Sequence, residues 1–504
     1  MAPLEIVNGE SSVNGGAAPN GHTNGVYTNG AGAETNGHAN GTTTNGVANG
    51  HGLTEESHEE EEEHEMFPED LKLRIMGIGV EYPPYRAYPK DLEAIAKKHY
   101  PQTDALKKVL SINKYTGIEC RTSVGEFTHP IINEEKAPTV DQLHALFMEH
   151  GVPLATSACK KAIEDAGYSP SSITHTVFTT CTDSANPGYD VFVLKNLGVK
   201  STVEKVLLHG IGCSGGLAGL RTACNIALGA TARGRRARVL VCATEICTSL
   251  VRSELDSIVA EGNVRIGITL FSDCSSAAVV SNGFGEDWSR GKSKGVYDIL
   301  GWKHDTLDES EKDLGFDIDP LGWKVILTPR VPKLTSGVTP SLYKSLFSSI
   351  PPSVLSSLSP SGSSLKPSDI DWALHPGGSL ILTSIQSVMD LTPSNLRASF
   401  EVYTSYGNSS SATVFSVMDR LRSETEAGIA GEGSTYGPGV GVEGGRKGVV
   451  GCAFGPGVSI EMVMMRRVES DNRNTCTVDG VLDDGVVAVT NGVHEVTIGG
   501  EELD

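Results

Sequence analysis

Three short segments carry side chains that could do covalent chemistry. Cys213 lies in Gly-Ile-Gly-Cys-Ser-Gly-Gly (210–216), His375 in His-Pro-Gly-Gly (375–378), and Asn408 in Ser-Tyr-Gly-Asn-Ser-Ser (405–410). A cysteine between a buried strand and a helix has its sulfur close to free backbone N–H groups and to the positive end of the helix dipole. Both lower a thiol pKa, so the expectation is a thiolate nucleophile. The glycines at 210, 212, 215 and 216 permit a tight turn and close approach of a substrate to the backbone. His375 ends the apolar run 372–374 and stands at the mouth of a turn, while the Asn408 amide is able to donate a hydrogen bond. Each residue taken alone also has a structural reading. Cys213 is one of ten cysteines, a histidine is often a satisfied core residue, and Asn408 stands where an ordinary helix N-cap would. Cys224, Cys242, Cys247 and Cys452 fall inside apolar runs and read as core packing. His209, within the incoming strand, is assigned to the core.

The elements that must position these groups alternate between short apolar runs and longer helical patterns, the signature of an α/β protein with buried sheets. Strands are expected at 71–80, 174–182, 205–210, 238–243 and 371–374. Helices are expected at 89–100, 105–114, 143–166, 217–230, 379–389 and 409–421. A glycine-rich loop (428–448) leads to a final hairpin, 448–452 with 458–466. The order strand, glycine turn, helix occurs once around Cys213 and again around His375. That suggests a duplicated body, 68–285 and 286–467, with its site between the halves at strand ends, where ligands collect.

The flanks are of another composition. Residues 1–67 repeat Asn-Gly and run into the acidic block 59–63, and 468–504 is again polar and acidic. With little apolar surface to bury, both are expected to be disordered. Much of the net charge of −21 sits in that block, and the acidity argues against nucleic-acid binding. No apolar stretch is long enough to span a membrane and no signal peptide is evident, so a cytoplasmic location is expected. The irregularly placed cysteines suggest reduced thiols, and no Cys/His spacing suits a metal.

Together, the three turns, in this order and at this separation, resemble the catalytic segments of chalcone synthase and its type III polyketide synthase relatives. Gly-Cys-Ala-Phe-Gly-Pro-Gly-Val (451–458) is similar to that family's Gly-Phe-Gly-Pro-Gly loop. The resemblance covers roughly residues 71–467. It implies a thiolase-like αβαβα fold and a homodimer that loads an acyl group from acyl-CoA onto Cys213 and extends it with malonyl-CoA. His375 and Asn408 would stabilise the enolate left by decarboxylation, and His375 would hold the sulfur ionised. By the same resemblance Phe271 is a gatekeeper ring, Ser410 lines the initiation cavity, and Gly377 and Gly378 adjoin the substrate. Lys107 and Lys114 fall where relatives place cations against CoA phosphates, with Leu110 in place of a third basic residue. No cofactor and no metal is implied. Val325 replaces a second gatekeeper phenylalanine and Leu250 a threonine of the plant enzymes. With Ile246 and Val251 also expected near the cavity, and 314–324 resembling fungal members, a long-chain fatty acyl starter is expected. The products would be alkylresorcinol, alkylresorcylic acid or alkylpyrone.

Rival readings differ at identifiable residues. An initiating ketoacyl synthase would continue its histidine with Gln-Ala-Asn, where this chain has Pro-Gly-Gly (376–378). Hydroxymethylglutaryl-CoA synthase would want a glutamate base in a comparable turn, and none is found. A cysteine hydrolase would not require two glycine-turn halves. A non-catalytic acyl-CoA binder would have no need of all three reactive residues.

Overall fold

The computed structural model describes residues 66–126, 128–288, 294–359, 364–423 and 446–468. The expectations for the two tails, and for the glycine-rich loop over 424–445, lie outside the described residues. Packing begins at Phe67, whose N–H donates to the Ser349 carbonyl (2.7 Å) and whose ring meets Trp302.

Nine strands hydrogen-bond in one order: Asp371–Leu374, Gly448–Gly455, Ser459–Arg467, Tyr297–Thr306, Arg74–Glu81, Asp273–Ser281, Arg238–Ile246, His175–Thr179 and Glu204–Leu208. Tyr297–Thr306 and Arg74–Glu81 join the two ends of this order through only two residue pairs, Arg74 with Asp298 and Ile75 with Tyr297. Helices Gly215–Ala232 and Thr413–Ser423 pack between the ends and touch strands of both. Val152–Asp165 covers one outer face and Val331–Ser348 the other. This is the layered αβαβα arrangement that the resemblance implies.

Most elements expected near the reactive residues are present within a few residues. The helix expected over 143–166 is three joined pieces, Val140–Leu146, a π turn Phe147–Gly151, and Val152–Asp165. Pro153 lacks the N–H that a regular helix would use there, and the ladder widens by one residue. Strands Asp273–Ser281 and Tyr297–Thr306, helix Val331–Ser348, and the hairpin Leu314–Asp319 with Gly322–Leu327 were not read from the sequence.

Cys213 and His375 each follow a strand at an outer edge of the sheet, at opposite ends of the strand order. They meet because the layers wrap the two central helices. The approach is close enough to require glycine. Gly212 has φ +58° and a β-carbon there would lie 2.6 Å from Pro456 Cδ, while one at Gly216 would lie 2.5 Å from the Ser411 carbonyl oxygen. Gly216→Ala is expected to cost about 1–3 kcal/mol and to lower turnover at least tenfold by prising the Cys213 helix from the Ser411 turn; urea unfolding alongside product formation checks it.

On the His375 side the strand is anchored by a fully buried carboxylate. Asp371 accepts from Arg397 Nη1 (2.7 Å), Arg446 Nη1 (2.9 Å) and Arg467 Nη2 (2.8 Å). Burial alone would raise its pKa, but Arg397 and Arg467 hold it below the usual carboxylate range. Asp371→Asn leaves three guanidinium groups facing a neutral amide, so it is expected to destabilise by roughly 3–5 kcal/mol at neutral pH. A depressed folded-state pKa contributes stability above the unfolded value, near 4, and loses it as pH falls through the folded one. The deficit relative to wild type should therefore narrow below about pH 4, as urea titrations at several pH values would measure.

Candidate active site

Two residues past the strand Glu204–Leu208, Gly210 stands in the left-handed region at φ +74°, and the chain enters a short 3₁₀ turn, Gly212–Ser214, before the helix Gly215–Ala232. Cys213 is thereby set at the head of an eighteen-residue helix. His375 follows the strand Asp371–Leu374 directly, and its N–H is fixed by the Cys452 carbonyl (2.8 Å). Asn408 is held by backbone bonds, donating its N–H to the Leu270 carbonyl (3.0 Å) and accepting from the Ser272 N–H (2.9 Å). That pairing seats Asn408 beside Phe271.

These turns open on one cavity of about 40 Å³, lined by Cys213, His375, Asn408, Phe271, Ser410 and Gly377, with apolar walls from Phe316, Val325, Leu327 and Phe454. The Asn408 amide orientation follows from its neighbours. Its Oδ1 accepts from the Ser410 N–H (2.8 Å), so Nδ2 faces the other way, 3.4 Å from the Gly377 carbonyl, with a second N–H in reserve. Both ring nitrogens of His375 are buried and have no hydrogen-bond partner among the described residues. A buried imidazole is costly to leave unpaired, and its presence on a cavity wall suits it to a ligand.

The charge state of the sulfur differs from the sequence expectation. Burial pushes the Cys213 thiol up to about 12, against the pull of hydrogen bonds from Ser410 and Asn408, and the buried Glu245 carboxylate raises it further. Burial likewise pushes His375 down to about 3. A helix N-terminus acts over one turn, whereas desolvation acts on the whole charge, and in a closed site desolvation wins. Burial thus favours a neutral thiol and a neutral imidazole in the empty site.

Other sequence expectations separate here. Phe271 stands against Phe316 (ring centroids 6.2 Å apart) on the cavity wall. Ser410 is buried at φ +47°, and its Oγ lies 3.4 Å from Cys213 Sγ. Gly377 lines the cavity; Gly378 lies behind it as the cap of the helix Ser379–Val388. Lys107 and Lys114 do not line the cavity. They are exposed, paired with Asp104 (3.5 Å) and Glu93 (3.2 Å), and Leu110 between them is buried. Ile246 and Val251 pack into two other cores and do not reach the cavity, and neither does Leu250. His209 is exposed because the strand before it is an edge strand. All nine cysteines among the described residues are free thiols, and Cys247 packs with Cys213, Phe271 and Val325.

Sequence reading missed the polar ring behind the nucleophile. Ser410 Oγ also lies 3.4 Å from Cys181 Sγ, and the fully buried Glu245 accepts from the Cys181 N–H (3.1 Å), Thr182 Oγ1 (2.9 Å) and Ser411 Oγ (2.5 Å). Burial raises the Glu245 pKa, opposed first by the Ser411 hydroxyl and then by the Cys181 N–H. A single carboxylate inside the apolar run 238–246 was the available signal, since a buried charge demands partners.

Comparison with known proteins places this geometry. Residues 107–284 match the model for the N-terminal domain of chalcone and stilbene synthases, and residues 333–469 match that for the C-terminal domain. A type III polyketide synthase of Penicillium soppii is 37% identical over 407 residues, 79% of this chain and 97% of its own. The acylalkylpyrone synthase CsyB of Aspergillus oryzae is 38% identical over 356 residues, 71% of this chain and 88% of its own. The solved structure of a type III pentaketide synthase from Neurospora crassa is 51% identical, covers 79% of this chain and all of its own, and superposes with a TM-score of 0.72. The chain therefore belongs to the chalcone and stilbene synthase family and is a type III polyketide synthase, an acyltransferase with the thiolase-like fold.

Proposed function

We propose that the chain takes a long-chain fatty acyl group from acyl-CoA onto Cys213 and extends it with malonyl-CoA. The product is then cyclised to an alkylresorcinol, alkylresorcylic acid or alkylpyrone. The working unit in this reading is a cytoplasmic homodimer, each subunit divided at about residue 285. The observation that carries the reading is the shared cavity, in which the Cys213 sulfur, an imidazole with no hydrogen-bond partner among the described residues and the Asn408 amide face one apolar space. The names of the relatives, an acylalkylpyrone synthase and a pentaketide synthase, support products of this kind.

The chemistry follows from the charge states. As the thioester arrives, the Cys213 proton passes to His375 Nε2, and Sγ attacks the carbonyl. Two buried charges formed together offset each other where one alone would be costly. The CoA thiolate leaves and takes a proton from solvent, the acyl group remains on Sγ, and His375 keeps the proton on Nε2. Malonyl-CoA then loses carbon dioxide. The enolate oxygen left behind accepts from His375 Nε2–H and Asn408 Nδ2–H, and its carbon attacks the acyl thioester to return Sγ as the leaving group. Apolar walls from Phe316, Val325 and Leu327 favour an aliphatic starter over a polar one.

Purified protein given malonyl-CoA and a panel of acyl-CoA thioesters is expected to release alkylated products with long-chain starters, and Cys213→Ala none, as mass spectrometry of the products would report. Elongation of coumaroyl-CoA but of no long acyl-CoA would overturn the starter assignment. Asn408→Asp replaces a donor by a group that only accepts, so decarboxylation of malonyl-CoA should fall by about 10²–10³; release of carbon dioxide without a starter measures it.

A further inference from the structure

Among the described residues the hairpin Leu314–Asp319 with Gly322–Leu327 pairs only with itself, so no ladder bond to the nine-stranded sheet fixes where it lies. It nevertheless supplies Phe316, Val325 and Leu327 to the cavity wall. Its base is tied by the Gly457 N–H to the Leu314 carbonyl (3.3 Å) and by the Thr328 N–H to the Asp313 carbonyl (2.9 Å). Between these ties it is gripped at two neighbouring residues: Lys324 Nζ donates to Glu261 Oε1, and Val325 is held through its peptide. The Val325 N–H donates to Glu254 Oε1 (2.9 Å), and the Val325 carbonyl accepts from Arg265 Nη2 (2.6 Å).

The two gripping side chains also bind each other. Arg265 Nε lies 3.1 Å from Glu254 Oε2, and Nη2 lies 3.0 Å from Oε1, a fork that fixes both groups. Glu254 is 1% exposed, and neither residue lines the cavity. Behind Val325 there is no slack, because a β-carbon on Gly267 would already lie 3.0 Å from Val325 Cγ1. The cavity, at about 40 Å³, is small beside the roughly 300–1,000 Å³ of ligand pockets. An acyl chain enters only as far as the hairpin stands away from Cys213, and the outer side of Val325 is where that distance is held.

We propose that the Glu254–Arg265 pair is a positioning device for acyl-chain selection, holding the Val325 peptide from outside the cavity and so setting how deep a chain the site admits. The proposal rests on the reading that the acyl group lies under this hairpin. It does not require either residue to touch substrate. A buried ion pair is a poor source of net stability but a strict source of geometry, since removing one member leaves the other charge unpaired.

The test uses Glu254→Gln, which keeps an acceptor for the Val325 N–H but loses the charge, and Arg265→Lys, which keeps the charge but loses the fork. With the full-length protein, kcat/KM is measured for a short, a medium and a long saturated acyl-CoA. Starter-independent decarboxylation of malonyl-CoA is followed in parallel. The expected result is a change of about tenfold or more in the long-to-short ratio, equivalent to about 1.4 kcal/mol, with decarboxylation unchanged. An unchanged ratio, an equal loss for all three thioesters, or failure of both variants to fold would overturn the proposal, the last because the pair would then be a core element. Val325→Phe separates the two readings. If it too leaves the ratio unaltered, the acyl chain does not lie under the hairpin and the cavity assignment falls; if it alters the ratio where the pair variants do not, only the pair is removed.

Discussion

At Gly216 the helix behind Cys213 runs so close to the Ser411 carbonyl that no side chain fits between them. The same is true at Gly212 against Pro456 and, more loosely, at Gly215 against the Ser411 side chain. These contacts are where the two ends of the strand order, far apart in the ladder, come within reach across the central helices. Cys213 belongs to one edge of the sheet and His375 to the other. The site exists because three glycines leave no room for a side chain where these segments meet, and everything polar in it is arranged on that constraint.

Once closed, such a site reverses the usual arithmetic of a helix N-terminus. A dipole of about half a charge favours a thiolate by at most a kilocalorie or two. Full burial disfavours it by more, and the buried Glu245 adds a second penalty of the same sign. In the proposed mechanism, proton transfer takes the place of standing charge. Burial favours a neutral thiol beside an imidazole that has no other hydrogen-bond partner among the described residues, and the proposed ion pair forms when a substrate gives the charge somewhere to go. Asn408 is prepared in the same sense, its carbonyl end occupied by the Ser410 N–H so that its donor end faces the reaction.

The reactive turns were legible in the sequence because each is a local device. A glycine at positive φ, a strand end and a helix start leave a residue-level trace, and the three together name their chemistry. What was not legible is what arrives from another layer. Ile246, Leu250 and Val251 share the apolar character of cavity residues but point into other contacts, while Cys247, read as core, stands beside Cys213. His209 looked buried because its strand is apolar at its end, but an edge strand has solvent on one side. The sign of the thiol shift failed for the same reason: dipole and glycines are local, and burial is the sum of everything packed over them.

The hairpin is the extreme case. Its strands are short, its tip carries an Ile318 that is 92% exposed, and nothing in its own residues says that it roofs a cavity. A wall built into the main sheet could move only by breaking ladder bonds on both sides. A wall attached by its base and by a few charged side chains at Lys324 and Val325 can be reset by a change at one tether without disturbing the strands that carry Cys213 and His375. The fold thus separates two demands. The proposed reacting groups sit on closely packed backbone, and the wall proposed to measure the substrate hangs from a few side-chain bonds, where a single substitution can alter what is accepted and leave the chemistry in place.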